Sequence, residues 1–230
     1  MKTLCIIQAR VGSTRFPGKT LKKLSNLMVI EWVLKRVKKS KRINKIVLAT
    51  TKLKEDLKLT KIAKKNKIAY FRGSNKDVLK RFYNAAQKYN PKFVVRVCAD
   101  NPFIDPLMLD KLIQSFKPKN FDYGFNHQSK LKNNCADGFG AEIFSFNLLK
   151  KLNYLVTKPS LREHVTLYIW RNQKKFKIQS IYPSNKLLFP NLKFDIDTEK
   201  DFQKLKKFIK LKKIKLNSKA EKIVNLYLNN

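Results

Sequence analysis

A loop rich in glycines, hydroxyls and cations follows the first apolar run of the sequence. After Ile6 and Ile7 the chain reads Gln8-Ala9-Arg10-Val11-Gly12-Ser13-Thr14-Arg15-Phe16-Pro17-Gly18-Lys19. Backbone N–H groups and cations at the end of a strand can bind phosphates. The loop has neither the order of a P-loop nor that of a dinucleotide fingerprint. We interpret it as a triphosphate-binding loop of another kind; the alternative is a basic surface turn with glycines for its tight backbone.

Three aspartates lie at the ends of predicted strands in a sequence that is poor in acids. Asp100 follows the apolar run 93–98, and Asp195 and Asp197 are two residues apart, so their side chains share one face of a strand. Carboxylates that converge from separate strands can bind Mg²⁺, which prefers oxygen ligands and substrate phosphates. We therefore predict a Mg²⁺ site here. For Asp197, a cap on the helix that follows is the alternative.

Strand-length apolar runs alternate with longer stretches of helical period in the first half of the sequence. This alternation is typical of an α/β fold with a mostly parallel sheet covered by helices. It predicts strands at 3–9, 45–50, 69–71 and 93–98, and helices at 28–39, 55–65, 77–89 and 106–116. Because open α/β sheets bind ligands at the carboxyl ends of their strands, we expect the basic loop and Asp100 to lie at one edge of the sheet.

The segment 121–190 has a different sequence pattern, in which polar turns separate shorter apolar runs. We interpret it as an inserted or appended lobe that contains a helix near 160–172. After this segment the α/β pattern resumes, with a predicted strand at 192–196 and a predicted helix at 198–210. The apolar spacing over 218–228 predicts a last amphipathic helix. With no internal repeat and no long linker, the sequence predicts one domain over 1–230 that carries this lobe.

The sequence carries a large positive charge. It has 52 Lys and Arg against 16 Asp and Glu, a formal net charge of +36. Such a field attracts polyanions, so a non-enzymatic polyanion binder is one hypothesis. However, only nine of the cations are Arg, and the Lys are spread along nearly every segment. Because Arg side chains carry most phosphate and base recognition, we interpret most Lys as solvated surface and expect no specific nucleic-acid partner.

The lengths of the apolar runs and the pattern of cysteines indicate the cellular compartment. No run approaches the ~20 apolar residues that a membrane-spanning helix needs, and the N-terminal apolar run is too short for a secretory signal. We expect a cytoplasmic protein with no membrane partner. Cys5, Cys98 and Cys135 are odd in number and form no C-x-x-C pair, so we expect reduced thiols rather than a disulfide framework or a structural zinc site.

Six segments form a set in chain order. They are 6–19; Phe71-Arg72-Gly73-Ser74 with Asp77-Val78-Leu79; Ala99-Asp100-Asn101-Pro102 continuing to Pro106; Asp137-Gly138-Phe139-Gly140-Ala141-Glu142 continuing to Phe144; Arg162-Glu163-His164-Val165-Thr166; and Asp195-Ile196-Asp197-Thr198. Together they resemble the motifs of the CMP-sugar synthetases, the CMP-Kdo and CMP-sialate cytidylyltransferases. The first is most similar to the branch named for spore coat polysaccharide biosynthesis. Ala99, where the family usually has Gly, and Lys200 depart from its pattern.

The resemblance implies a fold, an activity and a nucleotide site. The fold is a Rossmann-like nucleotidyltransferase fold, α/β with helices on both faces of the sheet and a small dimerisation lobe in a homodimer. The activity is transfer of CMP from CTP to a sugar acid or related sugar, with release of pyrophosphate, in a surface-polysaccharide pathway. The implied nucleotide-binding residues are Arg10, Gly12, Ser13, Arg15, Lys19, Arg72 and Ser74. Of these, Arg15 or Lys19 would stabilise the departing pyrophosphate, and cytosine would be met near Arg72 and Ser74, largely by backbone contacts. Asp100, Asp195 and Asp197 would bind Mg²⁺, and the implied catalytic residues are Arg15, Lys19 and Asp100.

The same resemblance implies an acceptor site in the middle motifs. Its residues are Asp137, Gly138, Glu142, Arg162, Glu163 and His164. For His164, a hydrogen-bonded structural histidine is the alternative, and Arg162 with Glu163 could form an ordinary surface ion pair. An enzyme that uses another nucleoside triphosphate also fits, because discrimination between bases rests on few contacts.

Overall fold

The apolar residues of the first strand place it at the centre of the sheet. The computed structural model describes residues 2–127, 131 and 133–229. In it, β1 pairs in parallel with β4 on one side and with β6 on the other. The strands are β1 (Thr3–Gln8), β2 (Lys23–Leu24), β3 (Leu27–Met28), β4 (Lys45–Thr51), β5 (Ala69–Gly73), β6 (Phe93–Cys98), β7 (Tyr123–Phe125), β8 (Glu142–Ser145) and β9 (Ile178–Ser180).

Seven of the described strands form one sheet in the order β5-β4-β1-β6-β8-β7-β9. All neighbours run parallel except β8, which is antiparallel to both β6 and β7. Strands β7, β8 and β9 belong to the segment 121–190, so this segment extends the central sheet. Gln8 is in register with Ala49 and with Cys98, so the carboxyl ends of β1, β4 and β6 lie together.

Helices cover both faces of the sheet. They are α1 (Val29–Val37), α2 (Leu57–Lys65), α3 (Val78–Gln87), α4 (Pro106–Ser115), α5 (Phe146–Leu155), α6 (Pro159–Arg162), α7 (Leu167–Arg171), α8 (Glu199–Leu211) and α9 (Ala220–Leu228). Because side chains alternate along a strand, Cys5 and Ile7 face a core with α1, α2 and α4, while Leu4 and Ile6 face a core with α3 and α5. No helix in the described residues has the length and apolarity to cross a bilayer.

A third apolar cluster joins the C-terminal helices to the sheet edge. Phe103, Phe139 and Phe194 pack there with residues of α8 and α9. Two buried polar groups tie the same region together. Asp105 Oδ2 accepts from the backbone N–H of Ala220 at 2.6 Å. The buried Arg36 donates to the carbonyl oxygens of Ile104 and Leu216, and its Nη2 lies 3.9 Å from Asp105 Oδ2.

Two predicted elements are wrong. The helix predicted at 160–172 is broken into α6 and α7, because Val165 and Thr166 between them turn into the protein and are buried. The strand predicted at 192–196 forms only one bridge, between Asp137 and Lys193. Successive N–H groups there serve different partners, with Phe194 donating to the carbonyl of Asp137 and Ile196 to that of Asp100.

Candidate functional site

The basic loop is anchored at the carboxyl end of β1. The N–H of Val11 donates to Asp56 Oδ1 at 2.7 Å, and Asp56 is fully buried. The carbonyl of Val11 accepts from the N–H groups of Ser13 and Gly18 at 2.8 and 2.9 Å. Gly18 has a φ of +71°, which favours glycine. The loop therefore has a fixed path that aims its cations across the sheet edge.

Cations of this loop meet two of the predicted aspartates. Lys19 Nζ lies 3.0 Å from Asp100 Oδ2 and 2.6 Å from the carbonyl oxygen of Ile196, and it is 3.8 Å from Asp197 Oδ1. Arg15 donates to both carboxylate oxygens of Asp197, at 3.0 and 2.8 Å. Residues from the first and last motifs, more than 170 positions apart, thus lie in direct contact.

Asp195 is the most buried of the three predicted metal ligands. Its side chain is 14% exposed and lies 3.6 Å from Lys193 Nζ. Its Oδ1 is buried and accepts no hydrogen bond from the described residues. Burial raises the pKa of Asp195 to about 7, and the charges of Asp137, Asp100 and Asp197 act in the same direction. A further cation beside Asp195 would therefore favour the ionised form of its carboxyl group.

The chemistry of these aspartates fits a hard divalent ion. They offer carboxylate oxygens, which Mg²⁺ prefers, and one of those oxygens is buried without a partner. Among the described residues no group of three or more His, Cys, Asp or Glu is arranged around one point as ligands. Instead Lys19, Arg15 and Lys193 neutralise the carboxylates.

A small cavity of about 150 Å³ opens between the loop and β6. It is lined by Gln8, Ala9, Arg10, Ser13, Arg15, Lys19, Thr20, Cys98, Ala99 and Asp100. Sequence reasoning missed two of these residues as site candidates. Gln8 Oε1 and Thr20 Oγ1 are buried without a hydrogen-bond partner among the described residues. A polar residue that ends an apolar strand was the available signal for Gln8, while Thr20 had none.

The residues predicted to meet cytosine are engaged with the protein itself. Arg72 donates to the carbonyl oxygens of Thr51, Lys52 and Leu53, at 3.1, 2.6 and 3.3 Å. Ser74 Oγ accepts from the N–H of Asp77 at 3.0 Å. The guanidinium of Arg72 therefore holds the turn after β4. That cytosine is met near Arg72 and Ser74, largely by backbone contacts, stays a prediction.

Arg72→Gln is accordingly expected to lower stability rather than to change nucleotide choice. Loss of these charge-assisted hydrogen bonds should reduce the free energy of unfolding by about 1–3 kcal/mol. The ratio of kcat/KM for CTP to that for UTP should stay constant. Urea unfolding and the two kinetic constants measure this. A changed ratio at unchanged stability would contradict the structural role.

The predicted acceptor residues divide into buried and exposed groups. Glu142 is fully buried, and its oxygens accept from Arg96 Nη1 at 2.8 Å and from Thr166 Oγ1 at 2.9 Å. The prediction that it binds a sugar hydroxyl directly is therefore corrected. Gly138 serves a turn: its φ is +103°, and a Cβ there would lie 2.8 Å from the carbonyl carbon of Phe194.

The Arg162–Thr166 motif is also partly structural. Arg162 Nε donates to Asp77 Oδ2 at 2.8 Å, and its other nitrogens donate to Asn153 and to the carbonyl of Val156. It does not pair with Glu163 in the described residues, so that alternative is wrong, and four of the five guanidinium N–H groups are engaged within the protein. Glu163 and His164 are exposed. Although the residue as a whole is exposed, partial burial of the His164 ring and the nearby charge of Arg96 lower its pKa, which favours the neutral ring at pH 7.

His127 is a third residue that sequence reasoning missed. It lies 3.7 Å from Asp137 and 3.6 Å from Glu142. Asp137 itself is half exposed, with 47% of its side chain accessible. The spacing of His127 from both carboxylates follows no local pattern, so only the fold reveals the cluster.

Comparisons with known proteins decide what this site belongs to. A family model described as Cytidylyltransferase matches residues 4–230. The chain belongs to the cytidylyltransferase family. This confirms the family that the six motifs predicted, and with it a CTP-dependent nucleotidyltransferase of Rossmann-like fold.

Similar proteins match the chain over most of their length. The cytidylyltransferase is 38% identical over 203 residues to an uncharacterized protein of Methanocaldococcus jannaschii, covering 88% of this chain and 81% of the relative. It is 33% identical over 208 residues to the spore coat polysaccharide biosynthesis protein SpsF of Bacillus subtilis, covering 88% and 84%. A solved cytidylyltransferase from Leptospira borgpetersenii superposes with a TM-score of 0.89 at 32% identity, over 100% of this chain and 93% of that one.

Proposed function

We propose that the protein transfers CMP from CTP to a sugar acid or related sugar, with release of pyrophosphate, in surface-polysaccharide biosynthesis. The observation that carries this is the contact of Lys19 with Asp100 and of Arg15 with Asp197. These contacts bring the proposed phosphate-binding cations and metal-binding carboxylates to one edge of the sheet. The name of the SpsF relative supports the polysaccharide pathway.

The loop supplies the groups that a triphosphate needs. Arg10, Ser13, Arg15 and Lys19 line one cavity, and Gly12 lies at the bend of the same loop. Phosphoryl transfer requires positioning and neutralisation of charge more than covalent work by the protein. Arg15 and Lys19 would exchange their aspartate partners for phosphate oxygens and stabilise the departing pyrophosphate.

Asp100, Asp195 and Asp197 are the residues that would hold Mg²⁺. A bound divalent ion would supply Lewis acidity and would orient the phosphate and the attacking hydroxyl. Lys193, which lies 3.6 Å from Asp195 and 3.2 Å from Asp197, would keep the remaining carboxylate charge balanced. The buried oxygen of Asp195 that has no hydrogen-bond partner supports its place in this set.

On the acceptor side, Asp137, Glu163 and His164 stay as candidates for contact with the sugar. Asp137 and His164 differ in charge. The pKa of Asp137 is lowered, because the pairing with His127 outweighs burial, so this carboxylate is ionised. The ring of His164 is neutral. An ionised carboxylate accepts hydrogen bonds only, and a neutral imidazole can donate one and accept one. Both suit sugar hydroxyls.

The direct test is release of pyrophosphate. CTP, UTP, ATP and GTP are each incubated with Mg²⁺ and a panel of sugar acids and neutral sugars. We expect release only with CTP and with one class of acceptor. Release with another triphosphate would reassign the base, and no release in any combination would contradict the proposal. Nucleic-acid binding that falls steeply with salt, without turnover, would favour a polyanion binder.

Arg15→Gln is expected to raise the KM for CTP about tenfold, because a phosphate-binding charge worth roughly 1.4 kcal/mol is lost. The acceptor KM should change much less. Arg42→Gln removes the same charge from an exposed position away from the site and serves as the matched control. An equal effect of both variants would mean that only the general positive field acts on CTP.

Location and assembly follow from the same proposal. The three cysteines Cys5, Cys98 and Cys135 are free thiols, which suits a reducing compartment, and we propose that the enzyme acts in the cytoplasm. The homodimer stays a prediction, and light scattering at working concentration tests it.

A further inference from the structure

A histidine outside the six motifs lies between two of their carboxylates. His127 Nδ1 is 3.7 Å from Asp137 Oδ1, and Nε2 is 3.6 Å from Glu142 Oε1. Only 11% of the His127 side chain is exposed and none of Glu142, whereas Asp137 is 47% exposed. One edge of the ring thus faces a buried carboxylate, and the other faces a carboxylate that a ligand can reach.

Glu142 is the fixed end of this arrangement. It pairs in register with Arg96 across β6 and β8. Its Oε1 accepts from Arg96 Nη1 at 2.8 Å and its Oε2 accepts from Thr166 Oγ1 at 2.9 Å. Because both oxygens are held by the sheet and by the turn before α7, Glu142 fixes the place of the imidazole.

Asp137 is the open end, and it lies beside the aspartates of the proposed metal site. Its backbone bridges Lys193, whose Nζ contacts Asp195 and Asp197. Asp137 Oδ1, which faces His127, also accepts from the N–H of Gly138 at 2.8 Å. Because 47% of the Asp137 side chain is exposed, its carboxylate can receive a hydrogen bond from a ligand.

We propose that His127 is a positioning residue that holds Asp137 ready to bind a hydroxyl group of the acceptor sugar. This inference rests on the proposed function and deepens it at the acceptor side. A doubly protonated imidazole donates from both nitrogens and can serve both carboxylates, whereas a neutral ring can donate to only one. Burial opposes the charge on His127, but the two carboxylates outweigh it and raise its pKa to about 9.

The role of His127 resembles that of partners that orient a ligand-binding group from behind. Loss of such partners typically costs ~10–100-fold in binding or activity. In His127→Gln we therefore expect the acceptor KM to rise by about tenfold or more, with the KM for CTP nearly unchanged. Lys150→Gln, at an exposed position on α5, is the control and should match the parent enzyme in both constants.

A double variant separates positioning from general damage. If His127 acts through Asp137, adding His127→Gln to Asp137→Asn should raise the acceptor KM no further than Asp137→Asn alone. Additive effects, or an acceptor KM in His127→Gln equal to that of the parent, would overturn the proposal. So would equal rises in the KM values for CTP and acceptor, which indicate a structural role.

NMR of the imidazole nitrogens gives a readout that needs no turnover. Within residues 2–127, 131 and 133–229, the charged groups that face the ring are Asp137 and Glu142, with Arg96 behind Glu142. We expect His127 to titrate near pH 9 in the parent protein and at lower pH in Asp137→Asn. An unchanged midpoint would overturn the contact. If the parent enzyme turns over no acceptor, the proposed function fails, and this titration alone decides whether His127 holds Asp137.

Discussion

Replacing Lys19 with methionine is expected to lower kcat for CMP transfer about 10²–10³-fold, the usual cost of removing one preorganised charge-stabilising group. Lys19 is 8% exposed, and its Nζ is already fixed by Asp100 and by the carbonyl of Ile196. These contacts hold the ammonium at the edge of the cavity, so that it has to exchange only Asp100 for a phosphate oxygen when CTP binds. Methionine keeps the unbranched stem and removes the ammonium. Pyrophosphate release at saturating CTP and acceptor measures the effect.

The control for Lys19→Met is Lys23→Met. Lys23 is exposed on β2, four residues along the same chain, and its loss changes the net charge equally. We expect it to retain the parent activity. A thermal melt of both variants checks that each is folded. Equal activity of a folded Lys19→Met variant and the parent would remove Lys19 from the catalytic machinery.

Glu142→Gln is expected to lower the free energy of unfolding by about 3–5 kcal/mol, the range for breaking a buried ion pair and leaving its partner charged. Glu142 is fully buried and Arg96 is 6% exposed. Although burial favours a neutral carboxyl, Arg96 and His127 hold the pKa of Glu142 below its ordinary value. The neutral amide would leave Arg96 without a counter-charge. Denaturant unfolding measures the loss.

Glu163→Gln makes the same chemical change at an exposed position of the neighbouring motif. Its free energy of unfolding should stay within about 0.5 kcal/mol of the parent. If Glu142→Gln were as stable as Glu163→Gln, the buried ion pair would not support the fold, and the direct role for Glu142 in acceptor binding would return.

The central strands could be predicted because their information is local. The apolar run that forms β1 and the run that forms β6 are each continuous in sequence, and β6 spans Phe93–Cys98 as predicted. The position of Asp100 near the basic loop follows from parallel order alone. For the basic loop and Asp100, knowing which strand each residue follows is enough to predict that they lie close together.

The rest depends on contacts that no local pattern contains. Alternation at Asp195 and Asp197 predicted a strand, but period two does not distinguish a strand from a segment whose N–H groups serve different partners. Arg162 was assigned to an acceptor, yet it contacts Asp77, 85 positions away. A motif identifies which residues lie near a site, and it does not tell which of them support the others.

The C-terminal segment, for which we found no motif beyond residue 210, shares its anchor with the site. Asp105 receives the N–H of Ala220 and begins α4 by accepting from Leu107, five positions after Asp100. The start of α9 and the start of α4 are therefore held by the same side chain. A substitution that loosens α9 would therefore remove one hydrogen-bond partner of Asp105, the residue that also caps the helix following Asp100.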